Sequence, residues 1–197
     1  MTIREQIIKT RTVRRFAGNK PVPPELLVRL VDLARLGGSA RNAQVLKYMI
    51  IWKENLCQEI FPLLGWAGYL TDWPGPAPEE RPPAYVVCLL DTELLRGPVH
   101  EAHFDLGIAS QNMLLGASEL GLAGCRIASF SPRIHEILCC PPHLSVLLVI
   151  ALGYPAEKVV LENVGPDGDI RYWRDDDSIH HVPKRALQDI LLPCEKG

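Results

Sequence analysis

The sequence predicts an α+β domain, a buried sheet with helices packed on it, rather than a strict alternation of strand and crossover helix. Three observations carry this. Helical and strand patterns are interleaved along the chain. Leu144 to Leu161 places two candidate strands only a short turn apart, where a βαβ array would need a helix between them. And the stretch from about Val99 to Leu120 reads as a helix with no polar face, which must be buried on every side. The chain has 197 residues, 47% apolar and 22% charged, the size and composition of one globular domain spanning 1–197.

The first helix opens at Thr2, a side-chain cap with Glu5 three residues on, and runs to about Lys9 with Ile3, Ile7 and Ile8 as its apolar stripe. A second begins near Pro24, carries Glu25 in its first turn and Arg35 in its last, and turns Leu26, Leu27, Leu30, Val31 and Ala34 inward. Gly37 and Gly38 end it. A polar loop, Ser39 to Gln44, leads into a buried strand at Tyr48–Trp52, then a short helix from Asn55 to Phe61. Residues 62–83 are dense in proline and include Trp66, Tyr69 and Trp73; a stretch so long and so proline-rich reads as a lid or ordered binding loop. A strand follows at Tyr85–Leu90.

The helix from Val99 to Leu120 is rich in small residues, among them Ala102, Gly107, Ala109, Gly116 and Ala117. An internal glycine costs roughly 1 kcal/mol against alanine, so close packing must compensate. In a chain this small, a helix buried all round implies that a second subunit covers one face. Strands are expected around Cys125–Ala128 and at Ser145–Leu152, and a last helix after Pro183, with Leu187, Ile190 and Leu191 inward.

Several function classes drop out. A net charge of −2 gives no footprint for nucleic acid or an anionic membrane. No stretch approaches the ~20 apolar residues that span a bilayer, and the N-terminus has no apolar signal core. Six cysteines without CxxC spacing point to free thiols in a reducing, cytoplasmic setting. No metal site is expected: Cys139-Cys140 are adjacent, His180-His181 read as a surface or ligand-edge pair, and Asp175–Asp177 as a solvated turn. Asp105, on the long helix, reads as a structural hydrogen-bond acceptor. There is no GxGxxG, no P-loop and no GxSxG elbow. What remains is Arg11, Thr12 and Arg14, two cations and a hydroxyl just past a helix end. This set suits a phosphate and an electron-rich ring; the alternative is that the arginines only cap the helix dipole.

Arg11-Thr12-Val13-Arg14-Arg15-Phe16 resembles the R-S-x-R-x-F segment that opens nitroreductase-family flavoproteins. Ser39-Ala40-Arg41-Asn42-Ala43-Gln44 is similar to their S-x-x-N-x-Q loop, Asp105 to Leu115 to their long dimer-interface helix, and Gly121 to Ile127 to the segment under the flavin. Ala151 to Pro155 resembles their late strand ending in G-Y-P, and Val182 to Ile190 their closing helix. The order matches over nearly the whole chain. Three places depart: Thr10 stands where a basic residue is usual, Gln44-Val45-Leu46 replaces Q-P-W, and Arg126-Ile127-Ala128 replaces W-x-G.

The resemblance implies a mostly antiparallel central sheet flanked by helices, in an interlocked homodimer with FMN at each interface. It implies an oxidoreductase that passes hydride from NAD(P)H through flavin N5 to a small organic acceptor such as a nitroaromatic or quinone. Arg11 and Thr12 would hold the phosphate and ribityl chain, and Arg14 the pyrimidine edge. Ile127, Ala128 and Ser129 would lie along the ring, with a backbone N–H at N5. Ser39, Asn42 and Gln44 would come from the partner. Arg126, Trp66 and Tyr69 would line the substrate pocket, and no side chain is required as general acid or base. The alternatives are a flavin-binding dimer with little turnover (a reservoir or sensor) and other reactions of the same fold, reductive dehalogenation or flavin fragmentation.

Overall fold

The structure is a computed structural model describing residues 1–194. Helix α1 (Ile3–Lys9) starts on the expected reciprocal cap: the Thr2 hydroxyl accepts from the Glu5 N–H, and the Glu5 carboxylate accepts from the Thr2 N–H at 2.7 Å. Helix α2 (Pro24–Arg35) begins on a proline whose fixed φ suits a first turn, and buries Leu27, Leu30 and Ala34. Strand β1 (Leu46–Ile51), helix α3 (Glu54–Ile60), strand β2 (Ala84–Asp91), helix α4 (Val99–Glu119), strand β3 (Ala123–Ile127), helix α5 (Arg133–Ile137) and strand β4 (Leu144–Gly153) follow.

These strands form one sheet in the order β1-β2-β4-β3, every pair antiparallel. Its layers follow from the two-residue period of a strand. On one face Val86, Cys88, Ile150 and Leu152 pack with Leu27 and Leu30 of α2 and Met113 and Ala117 of α4. On the other, Tyr85, Val87, Val149 and Ala151 pack with Cys57 and Ile60 of α3, Ile134 of α5, and Val13 and Phe16. With both faces covered, β2 is buried at every position, which is why it reads in sequence as an unbroken apolar run.

The α+β reading holds, though one of its grounds changes. The two strands between Leu144 and Leu161 do not form a hairpin. Strand β5 (Val159–Asn163) leaves the main sheet, pairs in parallel with β7 (His180–Lys184), and β7 pairs antiparallel with β6 (Trp173–Arg174). This pairing also corrects the last helix. Pro183 lies inside β7, where β6 has already ended and no neighbour on that side needs its missing N–H. The helix α6 that follows is the single turn Leu187–Ile190, and Leu187, Ile190 and Leu191 are exposed rather than inward.

Two further apolar faces lie open within the chain. Helix α1 buries none of its residues, leaving Ile3, Ile7 and Ile8 outward. Helix α4 is covered by the sheet and α2 along Leu106, Ala109, Met113 and Ala117, but Phe104 (66% exposed) and Ile108 (44%) face away. The proline-rich stretch 62–83 holds only two short 3-10 turns, at Phe61–Leu63 and Pro78–Glu80. It is pinned to the end of β3, where the Gly65 N–H donates to the Ser129 carbonyl and the Ser131 N–H to the Leu63 carbonyl, both at 2.8 Å.

Candidate functional site

After α1 the chain runs extended beside β3. Thr12 bridges Gly124 in parallel, and the Val13 N–H donates to the Gly124 carbonyl at 3.1 Å. Gly124 itself lets β3 pack closely under α4: a Cβ there would stand 2.7 Å from the Leu114 side chain and 2.8 Å from the Ala151 carbonyl. The extended segment and β3 enclose a cavity of about 210 Å³ lined by Arg11, Thr10, the Gly121–Gly124 backbone and Glu157. One Arg11 nitrogen donates to the Ile7 carbonyl, while its Nε is buried without a partner. No carboxylate pairs with it among the described residues. Burial lowers the Arg11 pKa from its usual value.

Glu157 organises the rest of this edge. Its side chain is 1% exposed. One oxygen accepts from the Arg14 and Arg15 N–H groups, and the other from the Arg174 guanidinium at 2.8 Å. The Arg14 side chain lies 4.6 Å from the centre of the Tyr172 ring and donates to His180 Nε2 at 3.1 Å. A guanidinium has no lone pair to offer, so His180 Nε2 must accept and its proton sits on Nδ1, which is buried without a partner. His180 is fully buried, which removes the surface alternative for it and leaves the ligand-edge one; β7 turns it inward against Arg14.

Its neighbour points the other way. His181 meets Glu162 through Nδ1 and Asp175 through Nε2 at 3.0 Å, and stacks on Trp173 at 4.1 Å. Two carboxylates on one ring require both nitrogens to donate, the imidazolium form. Asp175 therefore belongs to a staple, while Asp176 and Asp177 are solvated as expected. Burial first, then the nearby Arg14, holds His180 down at about 4; hydrogen bonding to Asp175 raises His181 above its usual value. The signs oppose. Between the ordinary ~6.5 and about 4, acid favours the unfolded chain through His180. The His181 contribution is complete below the ordinary value and is lost as pH rises through the raised one. In a ring-proton NMR titration these adjacent histidines are expected to titrate on opposite sides of ~6.5; a common midpoint would show that Arg14 and Asp175 do not act on them as described.

The Ser39–Gln44 loop is anchored by Asp105, the expected structural acceptor: it takes the Ser39 hydroxyl at 2.8 Å and the Ala40 N–H at 2.9 Å. Ser39 in turn accepts from the Gln44 N–H at 3.0 Å, and the Gln44 amide reaches Asn42 Oδ1 at 3.3 Å. Arg41, Asn42 and Gln44 are left-handed at φ 55°, 51° and 49°, a concentration of backbone strain in a loop that leaves Asn42 and Gln44 exposed. This loop enters β1, whereas Arg11–Arg14 runs along β3. These are opposite edges of the sheet, about 14 Å apart at ~4.8 Å per strand. One chain therefore does not bring the two groups together.

The remaining positions also separate. Ile127 is buried in the core, while Ala128 and Ser129 emerge exposed beyond β3. Arg126 projects to the α4 face, where it donates to the Ser110 hydroxyl at 2.8 Å and the Gln111 side-chain Oε1 at 2.7 Å; burial lowers its pKa. Trp66 packs on Phe61 (ring centroids 5.6 Å apart) against the opposite face. No helical turn aligns it with Tyr69, because Ala67 takes φ 39° and reverses the chain between them. Tyr69 packs at a tilt of 49° on Tyr172 at 4.9 Å, and Trp73 lies under Arg174 at 4.2 Å, so the 62–83 loop reaches the Arg14 cluster through Tyr69 and Trp73. Glu157, Tyr172 and Arg174 were not picked out by sequence, and His180 was noted only as half of a surface or ligand-edge pair. Their only signal is an unmatched run of cations, Arg11 to Arg15, that needs an acid from elsewhere.

Residues 86–154 match the sequence profile described as the Nitroreductase family. A protein of Methanothermobacter thermautotrophicus described as an NADH dehydrogenase/NAD(P)H nitroreductase is 28% identical over 163 residues, 80% of each chain. A 4-nitrobenzoate reductase of a Nocardioides species is 34% identical over 91 residues, 42% of this chain and 37% of the relative. Among solved structures, a nitroreductase of Desulfovibrio desulfuricans in complex with FMN superposes with a TM-score of 0.73 at 19% identity, over 100% of this chain and 99% of that one. That likeness is one of fold.

Proposed function

We propose, from the premise that the chain belongs to the nitroreductase family, that it is an FMN-dependent oxidoreductase acting between NAD(P)H and a small organic acceptor. The observation that carries the cofactor is the Arg11 cavity. A half-buried guanidinium with an unpartnered Nε and no carboxylate partner among the described residues, in a cavity lined by the Gly121–Gly124 segment, is the donor set a phosphate needs. The residues fit the group at that end. The relative in complex with FMN and the relatives described as acting on NAD(P)H and 4-nitrobenzoate support the reading.

When bound, FMN supplies the two-electron redox chemistry between NAD(P)H and a nitroaromatic or quinone. The chain supplies position and charge. Arg11 and Thr12 hold the phosphate and ribityl chain. Arg14, fixed by His180 and Tyr172, provides a permanent positive charge for the pyrimidine edge. Ile127 backs the ring from the core, and an N–H of Ala128 or Ser129 serves its other edge. Ser39, Asn42 and Gln44 act on the cofactor held by a second copy, which is how groups on opposite edges of one sheet come to share a site. Tyr69, packed on the Tyr172 ring that Arg14 also touches, borders the acceptor's approach, whereas Trp66 and Arg126 lie on opposite faces of the sheet and do not share that wall within one chain. The whole chain, 1–197, works as one domain of a cytoplasmic homodimer; among the described residues no helix is long and apolar enough to cross a membrane.

The test begins with the cofactor. Freshly purified protein is expected to release FMN on denaturation and, once stripped, to bind it again. Arg11→Gln should weaken that binding roughly tenfold to a hundredfold, the loss of one charge-assisted contact, as read by flavin fluorescence titration. Loaded protein should then oxidise NAD(P)H when given a nitroaromatic or quinone. A protein that neither releases nor binds flavin would end this reading.

A further inference from the structure

Away from the Arg11 edge, a second cleft of about 410 Å³ opens between α3, the end of β1 and the segments around Gly18 and Pro78–Pro83. That volume is within the range of small-molecule sites. Its rim is exposed, with Trp52 and Gln58, and its floor is buried, with Cys57, Pro82 and Tyr85. Two polar groups at the buried end have no hydrogen-bond partner among the described residues. Tyr85 is 0% exposed and its hydroxyl is unbonded. The Arg81 guanidinium carbon lies over the Phe61 ring, 4.1 Å from its centre, with Nε shielded and unbonded. Leaving a buried donor unmet costs about 1–3 kcal/mol, so two in one cleft need a reason.

The chemistry of the cleft is consistent. Burial raises the Tyr85 phenol far above its usual range, so it stays a donor, and pushes the Cys57 thiol up to about 11, so it is neutral. The Cys57 thiol donates to the Pro83 carbonyl at 3.4 Å and is not available to a ligand. The one acid lining the cleft, Glu54, is exposed at the rim and accepts from the Gln58 amide at 3.1 Å. The buried end thus carries a cation and a phenol donor, enclosed by flat apolar surfaces of Phe61, Pro82 and Pro83. It is also preformed: the Phe16 N–H donates to the Glu80 backbone carbonyl and the Gly18 N–H to the Glu79 backbone carbonyl, both at 2.9 Å, and a Cβ at Gly18 would stand 2.6 Å from that Glu79 carbonyl.

We infer that this cleft is a binding site for a small aromatic carboxylate, its ring between the Phe61 and proline walls and its carboxylate on the Tyr85 hydroxyl and Arg81 guanidinium. The site is separate from the Arg11 cavity and does not depend on the flavin reading. Benzoate is the probe, titrated by calorimetry into the purified protein as it is isolated, with the flavin bands followed in parallel. Benzoate is expected to bind the unaltered protein, and Arg81→Gln and Tyr85→Phe should each weaken it at least roughly tenfold, the loss of a hydrogen bond to a charged group, while leaving the benzoate-free flavin spectrum unchanged. Without benzoate, Tyr85→Phe should melt at the same temperature or higher, because it removes a hydroxyl that the fold leaves unsatisfied. Unchanged benzoate affinity in both variants overturns the proposal, whether benzoate binds elsewhere or not at all. So does a Tyr85→Phe variant that melts several degrees lower with its benzoate affinity intact, since the phenol would then serve the fold.

Discussion

Glu157→Ala is expected to destabilise the chain by about 3–5 kcal/mol, the usual result of removing one partner from a buried ion pair. The carboxylate is almost wholly shielded and is shared by Arg174 and the backbone N–H groups of Arg14 and Arg15. Its loss strands a guanidinium whose own side chain is only 12% exposed, together with two amide donors. For a chain of this size each kcal/mol moves the melting temperature by ~2–4 °C, so calorimetry should show a fall of about 10 °C. Glu157→Gln keeps an acceptor for the amides and loses only the charge; it should fall between the two. A Glu157→Ala protein within about 1 kcal/mol of the parent in urea unfolding would mean that Arg174 finds water or another partner, and that Glu157 is not the organiser of this edge.

The second large effect is expected at Ile108→Asp. Ile108 and Phe104 stand outward on α4, and Leu36 is exposed at the end of α2 nearby. A Cβ on Gly37 would come within 2.9 Å of the Ile108 side chain, so these residues form one continuous surface. In a two-fold dimer the same patch occurs on both copies, so one substitution introduces two carboxylates into the contact. An unpaired charge taken out of water costs several kcal/mol. Light scattering should report a monomer at micromolar concentration, and flavin should be lost with the dimer, although Ile108 is not among the residues that line the Arg11 cavity. A dimer that persists with its flavin would remove this face from the interface; a monomer that keeps its flavin would remove the shared site.

Much of the fold was legible because its signals are local. Thr2 and Glu5 cap α1 by themselves, Pro24 and Gly37 bracket α2, and the apolar run in β2 needs only burial on both faces. The C-terminal region misled because its structure is decided at a distance. Val182-Pro183-Lys184 is a strand only because β5, some twenty residues earlier, offers it an edge, and no local preference reveals that. The site divides the same way. Arg11, Thr12 and Arg14 stand out as charges in a short segment, whereas Glu157, Arg174 and His180, which fix how those charges point, are scattered over the last quarter of the chain. Trp66 and Tyr69 were expected to line one pocket, but between them Ala67 takes a positive φ, and they pack on different neighbours, Phe61 and Tyr172.

The placement of Arg11 and the Ser39–Gln44 loop on opposite edges of one sheet has a genetic consequence if each site takes its halves from two copies. A chain defective in Arg11 still carries a sound loop, and a chain defective in the loop still carries a sound Arg11. Produced separately, each defective chain assembles only with itself, and both sites of every dimer are broken. Produced together, the two kinds also meet each other: one site of the mixed pair collects both defects, and the other collects neither. Two alleles that each score as null can therefore restore activity when they share a cell, whereas two different lesions within the Arg11 segment cannot. Which pairs of alleles rescue one another would sort the residues of the site by the copy that contributes them, without any structure of the assembled pair.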